Sequence, residues 1–232
     1  MVSPSPVVLL PARDEARRIV AVIDELQAIL PRAQLIVIDG HSRDQTAAVA
    51  AAKGATVLAQ AGRGYPDAVM TGLAAALSRG AAQTLLLDAD GQHPPSAAPA
   101  LLDALDGHDW AVASRAGTRS PGPLPRRAGN FGLGLLVWGL CGRRFGDLTS
   151  GMQAFGPRGL RLFAARRPDG CADANLRVLA AKAGLRVAEV PVTMAARAGG
   201  ASMHDGLAGL RNLGRTVGAC LGAARAPAPP WA

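Results

Sequence analysis

The chain has 232 residues, 49% of them hydrophobic and only 3% aromatic, enough apolar material for one sizeable α/β core built from Ala, Val and Leu. So few rings exclude a single-stranded nucleic-acid binder that works by base stacking. The 25 Lys and Arg outnumber 17 Asp and Glu to give +8 at neutral pH, and since Lys53 and Lys182 are the lysines, guanidinium supplies nearly all the positive charge and favours phosphate-bearing or membrane partners. Cys141, Cys171 and Cys220 have no CxxC spacing, so neither a zinc site nor a disulfide framework is expected, and a reducing compartment is. The amino terminus meets Pro11 and charged residues too soon for a signal peptide. The longest apolar stretch, Phe131 to Cys141, is shorter than the roughly 20 residues that span a bilayer, so any membrane attachment is expected to be peripheral.

Val7 to Leu10 reads as a first strand closed by Pro11, and Asp14 to Leu30 carries helical spacing at Ile19, Val22, Ile23, Leu26 and Ile29. A second strand, Leu35 to Ile38, ends at Asp39 in the polar turn Gly40-His41-Ser42-Arg43-Asp44, where Ser42 or Asp44 can cap an Ala-rich helix running to Lys53. A third strand spans Ala55 to Ala59, and Gly62-Arg63-Gly64 precedes a helix over Asp67 to Ser78. The next strand starts at Thr84 and ends in Asp88-Ala89-Asp90-Gly91-Gln92, followed by the Pro94-Pro95 pair that can open a helix. Alternation at this interval specifies a doubly wound parallel sheet.

Trp110 to Ala113 is a further strand, ending at Ser114-Arg115. Ala116 to Arg127 holds Pro121, Pro123, Pro125 and the Arg126-Arg127 pair and reads as a mobile basic loop over the same sheet edge. A glycine-rich apolar helix is expected from Ala128 to about Leu140, either in the core or against lipid. Gly146 to Gly151 is a polar turn before a strand at Met152 to Phe155. Asp173 to Ala183 is a helix, Arg186 to Val190 a strand, and a last helix runs from His204 to about Gly222. A single domain is expected over 1–225, with a Pro-rich disordered tail over 226–232.

Several polar clusters fall at strand ends: Arg13 to Glu15, Asp39 to Asp44, Asp88 to Gln92, and Arg115. In an open α/β sheet that edge binds ligands, and an Asp-x-Asp there can hold a hard divalent cation through oxygen while leaving positions for substrate phosphates. A bare Asp-x-Asp can equally cap the helix after Pro94. No GxGxxG follows the first strand and no GxxxxGK[ST] occurs, which removes dinucleotide oxidoreductases and P-loop kinases; no GxSxG suggests acyl transfer.

In order, Pro11-Ala12-Arg13-Asp14-Glu15, Ile38-Asp39-Gly40-His41-Ser42-Arg43-Asp44-Gln45-Thr46, Gly62-Arg63-Gly64 and Asp88-Ala89-Asp90-Gly91-Gln92-His93-Pro94-Pro95 resemble family-two inverting glycosyltransferases of the GT-A fold. Ser114-Arg115, Asp147-Leu148-Thr149-Ser150-Gly151, Glu189-Val190-Pro191 and Arg197-x-x-Gly200-x-Ser202 narrow the resemblance to polyprenol-phosphate sugar synthases of the dolichol-phosphate mannose synthase type.

The resemblance implies a Rossmann-like, mostly parallel sheet flanked by helices. It also implies transfer of a hexosyl group, mannose from GDP-mannose first, to a polyprenyl or dolichyl phosphate at the cytoplasmic membrane face. By motif position, Pro11, Glu15, Asp39, Asp88, Arg197 and Ser202 would bind the nucleotide sugar, and Asp88, Asp90 and Gln92 would hold Mg²⁺ or Mn²⁺. Arg115, Arg126, Arg127 and Asn130 would receive the acceptor phosphate, and Thr149 and Ser150 would line the sugar side.

Asp90 and Arg115 carry the catalytic expectation, with Asp147 as the base if one is needed. A phosphate nucleophile is already ionised at neutral pH, so chemistry of this kind needs positioning and charge neutralisation more than proton abstraction.

Asp14 replaces the family's usual Asn, His41 its commoner Gly, and Met203 a basic residue. His93 reads as a turn residue behind the ligands, and Trp110 and Trp138 as packing or membrane-edge residues. Three other readings have distinct signatures. A UDP-sugar-dependent transferase with another acceptor shares the motifs. A sugar nucleotidyltransferase would release pyrophosphate from a nucleoside triphosphate. An anion- or nucleic-acid-binding module, argued from charge alone, would bind DNA in a salt-sensitive way without transfer.

Overall fold

Seven strands form one sheet in the computed structural model, which describes residues 5–91, 93–115, 124–165, 174–193 and 206–227, without the side chains of 124–130 and 206–213. Gln92, Arg197, Ser202, residues 116–123 of the basic stretch and 228–232 of the tail lie outside the described residues. The strands are β1 (Val7–Ala12), β2 (Gln34–Asp39), β3 (Thr56–Ala59), β4 (Thr84–Leu86), β5 (Trp110–Ser114), β6 (Gln153–Phe155) and β7 (Val187–Pro191). Their order across the sheet is β3-β2-β1-β4-β6-β5-β7.

β1 pairs in parallel with β2 and β4, β2 with β3, and β5 with β7. β6 breaks the pattern by running antiparallel between β4 and β5, with Gln153 opposite both Leu86 and Val112. The parallel doubly wound sheet expected from the alternation therefore holds for the first four strands, and the whole is a mostly parallel α/β sheet. Reversal of β6 brings its entering end, residues 147–152, to the edge where the parallel strands leave. The Ala113 amide donates to the Met152 carbonyl at 3.0 Å and fixes that junction.

Helices cover both faces: α1 (Ala16–Ile29), α2 (Thr46–Ala52), α3 (Tyr65–Ser78), α4 (Ala98–Asp103), α5 (Leu124–Cys141), α6 (Pro157–Ala165), α7 (Ala174–Lys182) and α8 (Gly206–Arg225). Strand residues alternate between two cores because successive side chains point to opposite faces. Val8, Leu10, Val37 and Leu85 pack with Ile19, Val22, Ile23 and Leu26 of α1. Leu9, Ile36, Ile38 and Leu86 face Leu73 of α3, and the same layer holds Val137 of α5, Phe163 of α6 and Val178 of α7. Burying each large aliphatic side chain contributes about 1.5–3 kcal/mol. Gly72 lets α3 approach closely: a Cβ there would sit 3.0 Å from Ile38 Cδ1 and 3.1 Å from Leu9 Cδ1.

Two helix starts and one whole helix depart most from the sequence reading. α1 starts at Ala16 because Asp14 has φ 57°, outside the right-handed helical region. α5 starts at Leu124, four residues before the expected Ala128, so Arg126 and Arg127 lie on a helix and not in the basic loop assigned to them, while Asn130 is helical as expected. Pro125 is its second residue, a position where proline's fixed φ and missing N–H cost little. α6 was not foreseen; its first residue, Pro157, follows Gly156 directly, and a Gly-Pro pair reads as a turn.

Candidate active site

The loops leaving β1 and β2 are stitched together. The Asp14 amide donates to Ser42 Oγ (3.0 Å), the Glu15 amide to Thr46 Oγ1 (2.9 Å) and the Ala16 amide to Asp44 Oδ2 (3.1 Å). In return the Arg43 amide donates to Asp14 Oδ1 at 2.7 Å. Asp44 thus serves both α1 and α2, accepting from the Thr46 amide (2.9 Å) and the Thr46 hydroxyl. That hydroxyl bond holds the exposed Asp44 carboxyl below the usual carboxylate range, the amides of Thr46 and Ala16 acting in the same direction against a smaller desolvation.

Asp14 and His41, which stand where the family has Asn and Gly, are the described non-glycine residues with positive φ, 57° and 59°. Asn and Gly are the residues that adopt this conformation most readily, so the positions keep the backbone need while changing the side chain.

Asp39, at the end of β2, accepts from the Ser42 amide through Oδ2 at 3.2 Å. Its Oδ1 is buried with no hydrogen-bond partner among the described residues. Pro11 is buried inside β1, opposite Ile38. Glu15 receives Arg18 at 2.9 Å, and Arg18 is held protonated above its ordinary range first by Glu15 and then by Asp90. Asp90 therefore acts electrostatically at the start of α1.

Asp88 is partly buried two residues beyond β4 and meets Gly151 of the loop that enters β6: a Cβ on Gly151 would collide with Asp88 Oδ2 and lie 3.3 Å from His93 Cε1. His93 is itself buried, its Nδ1 3.7 Å from Asp88 Oδ2, which places it behind the carboxylate as the sequence reading has it. Among the described residues no three His, Cys, Asp or Glu side chains are grouped to hold a metal. Asp88 and Asp90 would offer two hard carboxylate oxygens at a strand end, a donor set that suits a small divalent cation shared with an anionic ligand and not one caged by protein.

Across from them Arg115 leaves β5 and forks onto Asp147: Nε to Oδ2 at 2.6 Å and Nη2 to Oδ1 at 2.8 Å, with the Arg115 amide on Oδ2 at 3.1 Å. Nη2 also reaches Thr149 Oγ1 at 2.5 Å. Burial pushes the Asp147 carboxyl up, but the bonds and charge of Arg115 outweigh it, and the group stays below the usual carboxylate range. A carboxylate stabilised as the anion in this way is a weaker proton acceptor than a free one, and the geometry of Asp147 is that of an anchor for Arg115.

The loop is held from β7 as well, where Glu189 accepts the amides of Gly146 (2.9 Å) and Asp147 (3.0 Å). Ser150 is buried, its Oγ without a partner among the described residues.

The site thus gathers Glu15, Asp39, Asp88, Asp90, Arg115, Thr149 and Ser150 around the leaving edge of the sheet. Arg126, Arg127 and Asn130 share the first two turns of α5. Sequence reasoning missed Arg177, wholly buried in α7, which donates from Nη2 to the Asp147 carbonyl at 3.0 Å. Its neighbours Leu176 and Val178 are apolar, but α7 also carries Asn175 and Lys182, so its sequence does not mark which polar residue is buried.

α5 shows two faces. Leu133 and Val137 are buried, while Phe131, Leu135 and Trp138, spaced four and three apart, are 70%, 49% and 42% exposed. The Arg144 guanidinium lies 4.8 Å from the Trp138 ring centroid. No helix among the described residues is long and apolar enough to cross a membrane.

Comparison with known proteins bears on family and fold. The family model described as Glycosyl transferase family 2 matches residues 7–166. The chain is 31% identical over 214 residues to the dolichyl-phosphate hexose transferase of Haloferax volcanii, covering 90% of this chain and 91% of that protein. It is 29% identical over 221 residues to the polyprenol monophosphomannose synthase of Mycolicibacterium smegmatis, covering 86% and 80%. Among solved structures, glucosyl-3-phosphoglycerate synthase from Mycobacterium tuberculosis, in complex with Mn²⁺, UDP-glucose and phosphoglyceric acid, superposes with a TM-score of 0.72. That match spans 97% of this chain and 81% of the other at 21% identity, a likeness of fold.

Proposed function

This chain belongs to glycosyl transferase family 2, with a GT-A fold, and on that premise we propose that it moves a hexosyl group from a nucleoside diphosphate sugar to a polyprenyl phosphate at a membrane surface. Mannose from GDP-mannose is the first donor to test. The carrying observation is the seat of Gly151 on Asp88, which joins the carboxylates suited to the donor diphosphate to the loop that grips Arg115. The names of the archaeal and mycobacterial relatives, which act on dolichyl and polyprenol phosphates, support a lipid-phosphate acceptor.

In this reading the nucleotide lies over Asp39 and Glu15 and its diphosphate meets Asp88 and Asp90; by motif position Gln92, Arg197 and Ser202 complete the set. A bound Mg²⁺ or Mn²⁺ at the two aspartates supplies charge for the departing diphosphate. Arg115, kept in orientation by Asp147, presents its charge toward the acceptor phosphate, and Arg126, Arg127 and Asn130 are assigned to the same phosphate by motif position. Thr149 and Ser150 stand at the sugar. An acceptor phosphate is anionic without help, so no side chain has to take a proton, which agrees with the low proton affinity of Asp147. Attack opposite the leaving group inverts the anomeric carbon.

The exposed Phe131, Leu135 and Trp138 face, flanked by Arg143 and Arg144, suits a peripheral position on anionic lipid, and the cytoplasmic leaflet is the expected side. A UDP-sugar donor is the second reading, favoured by the relative from Methanococcus voltae named as a UDP-N-acetylglucosamine–dolichyl-phosphate N-acetylglucosaminyltransferase, 31% identical over 141 residues.

Incubation with a panel of labelled GDP- and UDP-sugars and polyprenyl phosphate, followed by organic extraction, separates the readings. Label in the lipid phase from one donor names donor and acceptor together, and none from any donor rejects the acceptor class. Asp90→Ala should lower transfer by at least about a hundredfold with the fold retained; full activity in that variant removes the role given to Asp90.

A further inference from the structure

Beneath the loop that enters β6 lies a buried polar network that the transfer chemistry does not itself use. Arg177 of α7 is fully buried, its guanidinium 4.8 Å from the ring centroid of Trp110 and its Nη2 on the Asp147 carbonyl. Trp110 Nε1 donates to Gln153 Oε1 at 3.2 Å, and Gln153 Nε2 donates to the Ser150 carbonyl at 3.0 Å. Two carbonyls of the 147–150 segment are thus gripped from below, while the Asp147 carboxylate above grips Arg115.

A guanidinium keeps its charge when buried, and packing alone is served at lower cost by an uncharged side chain of similar volume. Its Nη2 donates to the backbone carbonyl of Asp147, a residue that orients a site arginine.

We propose that Arg177 is a positioning residue for the acceptor side: by fixing the Asp147 backbone on a platform of Trp110, it sets the direction in which Asp147 holds Arg115. The inference rests on the lipid-phosphate reading for its kinetic consequence and on geometry alone for its structural one. Removing the Arg177 donor should loosen the 147–150 segment and misdirect Arg115, while Asp39 and Asp90, which belong to other loops, keep their places; Asp88 meets the loop only at its far end, at Gly151.

The tests keep the two ideas apart. Wild-type transfer to polyprenyl phosphate is measured first, and its failure strikes the function reading only. Amide hydrogen exchange of the wild-type chain then reads the loop: the Arg115 and Thr149 amides, which donate to the Asp147 carboxylate, should exchange at least about a hundredfold slower than free peptide. Exchange at free-peptide rates overturns the inference.

In Arg177→Met we expect both amides to exchange about tenfold faster, acceptor kcat/KM to fall about tenfold, and donor KM to stay within about twofold. Unchanged acceptor kinetics, or a donor KM that rises in step, overturns it. Arg177→Gln, which keeps a neutral donor, carries the same expectations should the methionine variant fail to fold.

Discussion

His41 and Asp14 show how much one residue's backbone can require. Both sit at positive φ in loops that are laced to each other, and neither is glycine. His41→Val should lower stability by about 1–2 kcal/mol, since a β-branched side chain is the worst fit to that conformation. His41→Gly should stay within about 1 kcal/mol of wild type, because relief at φ offsets the lost contact to the Gly62 carbonyl and the freer unfolded chain. Urea unfolding of the two variants measures the contrast; equal stabilities would show that the loop absorbs the strain elsewhere. Gly151 makes the opposite case, where space and not φ is decisive. In Gly151→Ala the new methyl collides with Asp88, and transfer should drop by about a hundredfold at saturating divalent cation, with thermal stability little changed. Initial rates and a melting curve on the same sample decide it.

At the scale of elements, the loop between α5 and β6 is the piece on which others converge: Arg115 from β5, Arg177 from α7 and Glu189 from β7. Its central ion pair sets a pH dependence. The Asp147 carboxyl is depressed in the folded chain, so its stabilising contribution is complete above its unfolded pKa, roughly 4, and is lost as pH falls through the lower folded value. The melting-temperature gap between wild type and Asp147→Asn should be widest near neutral pH and should narrow below about pH 4. A gap independent of pH would mean that the carboxylate charge contributes nothing.

α5 carries a second expectation at this scale. Serine at Phe131, Leu135 and Trp138 together should weaken binding to vesicles rich in anionic phospholipid by about tenfold or more, and leave the fold intact because these side chains are exposed. Co-sedimentation reads it; unchanged binding assigns attachment to another surface.

Over the whole molecule, the Asp-x-Asp carboxylates, the alternation of strands and helices, and the Arg-rich charge are all local in the chain. They were legible because each is a pattern within a short window: period two or 3.6 for burial, a run of polar residues where a strand stops. The expected boundaries of β1, β2, β5 and α7 fall close to the observed ones for that reason. α5 was harder, because prolines at its start read equally well as a loop. Arg177 escaped notice because its partners, Trp110 and Asp147, are 67 and 30 residues away along the chain, and no local pattern announces a buried charge.

By itself the sequence determined the α/β class, the strand-end position of Asp39 and of Asp88 and Asp90, and the family. Those follow from side-chain periodicity and from motifs that lie within a few residues. Only the tertiary structure decided that β6 runs backward between β4 and β5, because strand direction within a sheet is set by long-range pairing. That reversal is what lays Gly151 on Asp88 and what pairs Asp147 with Arg115.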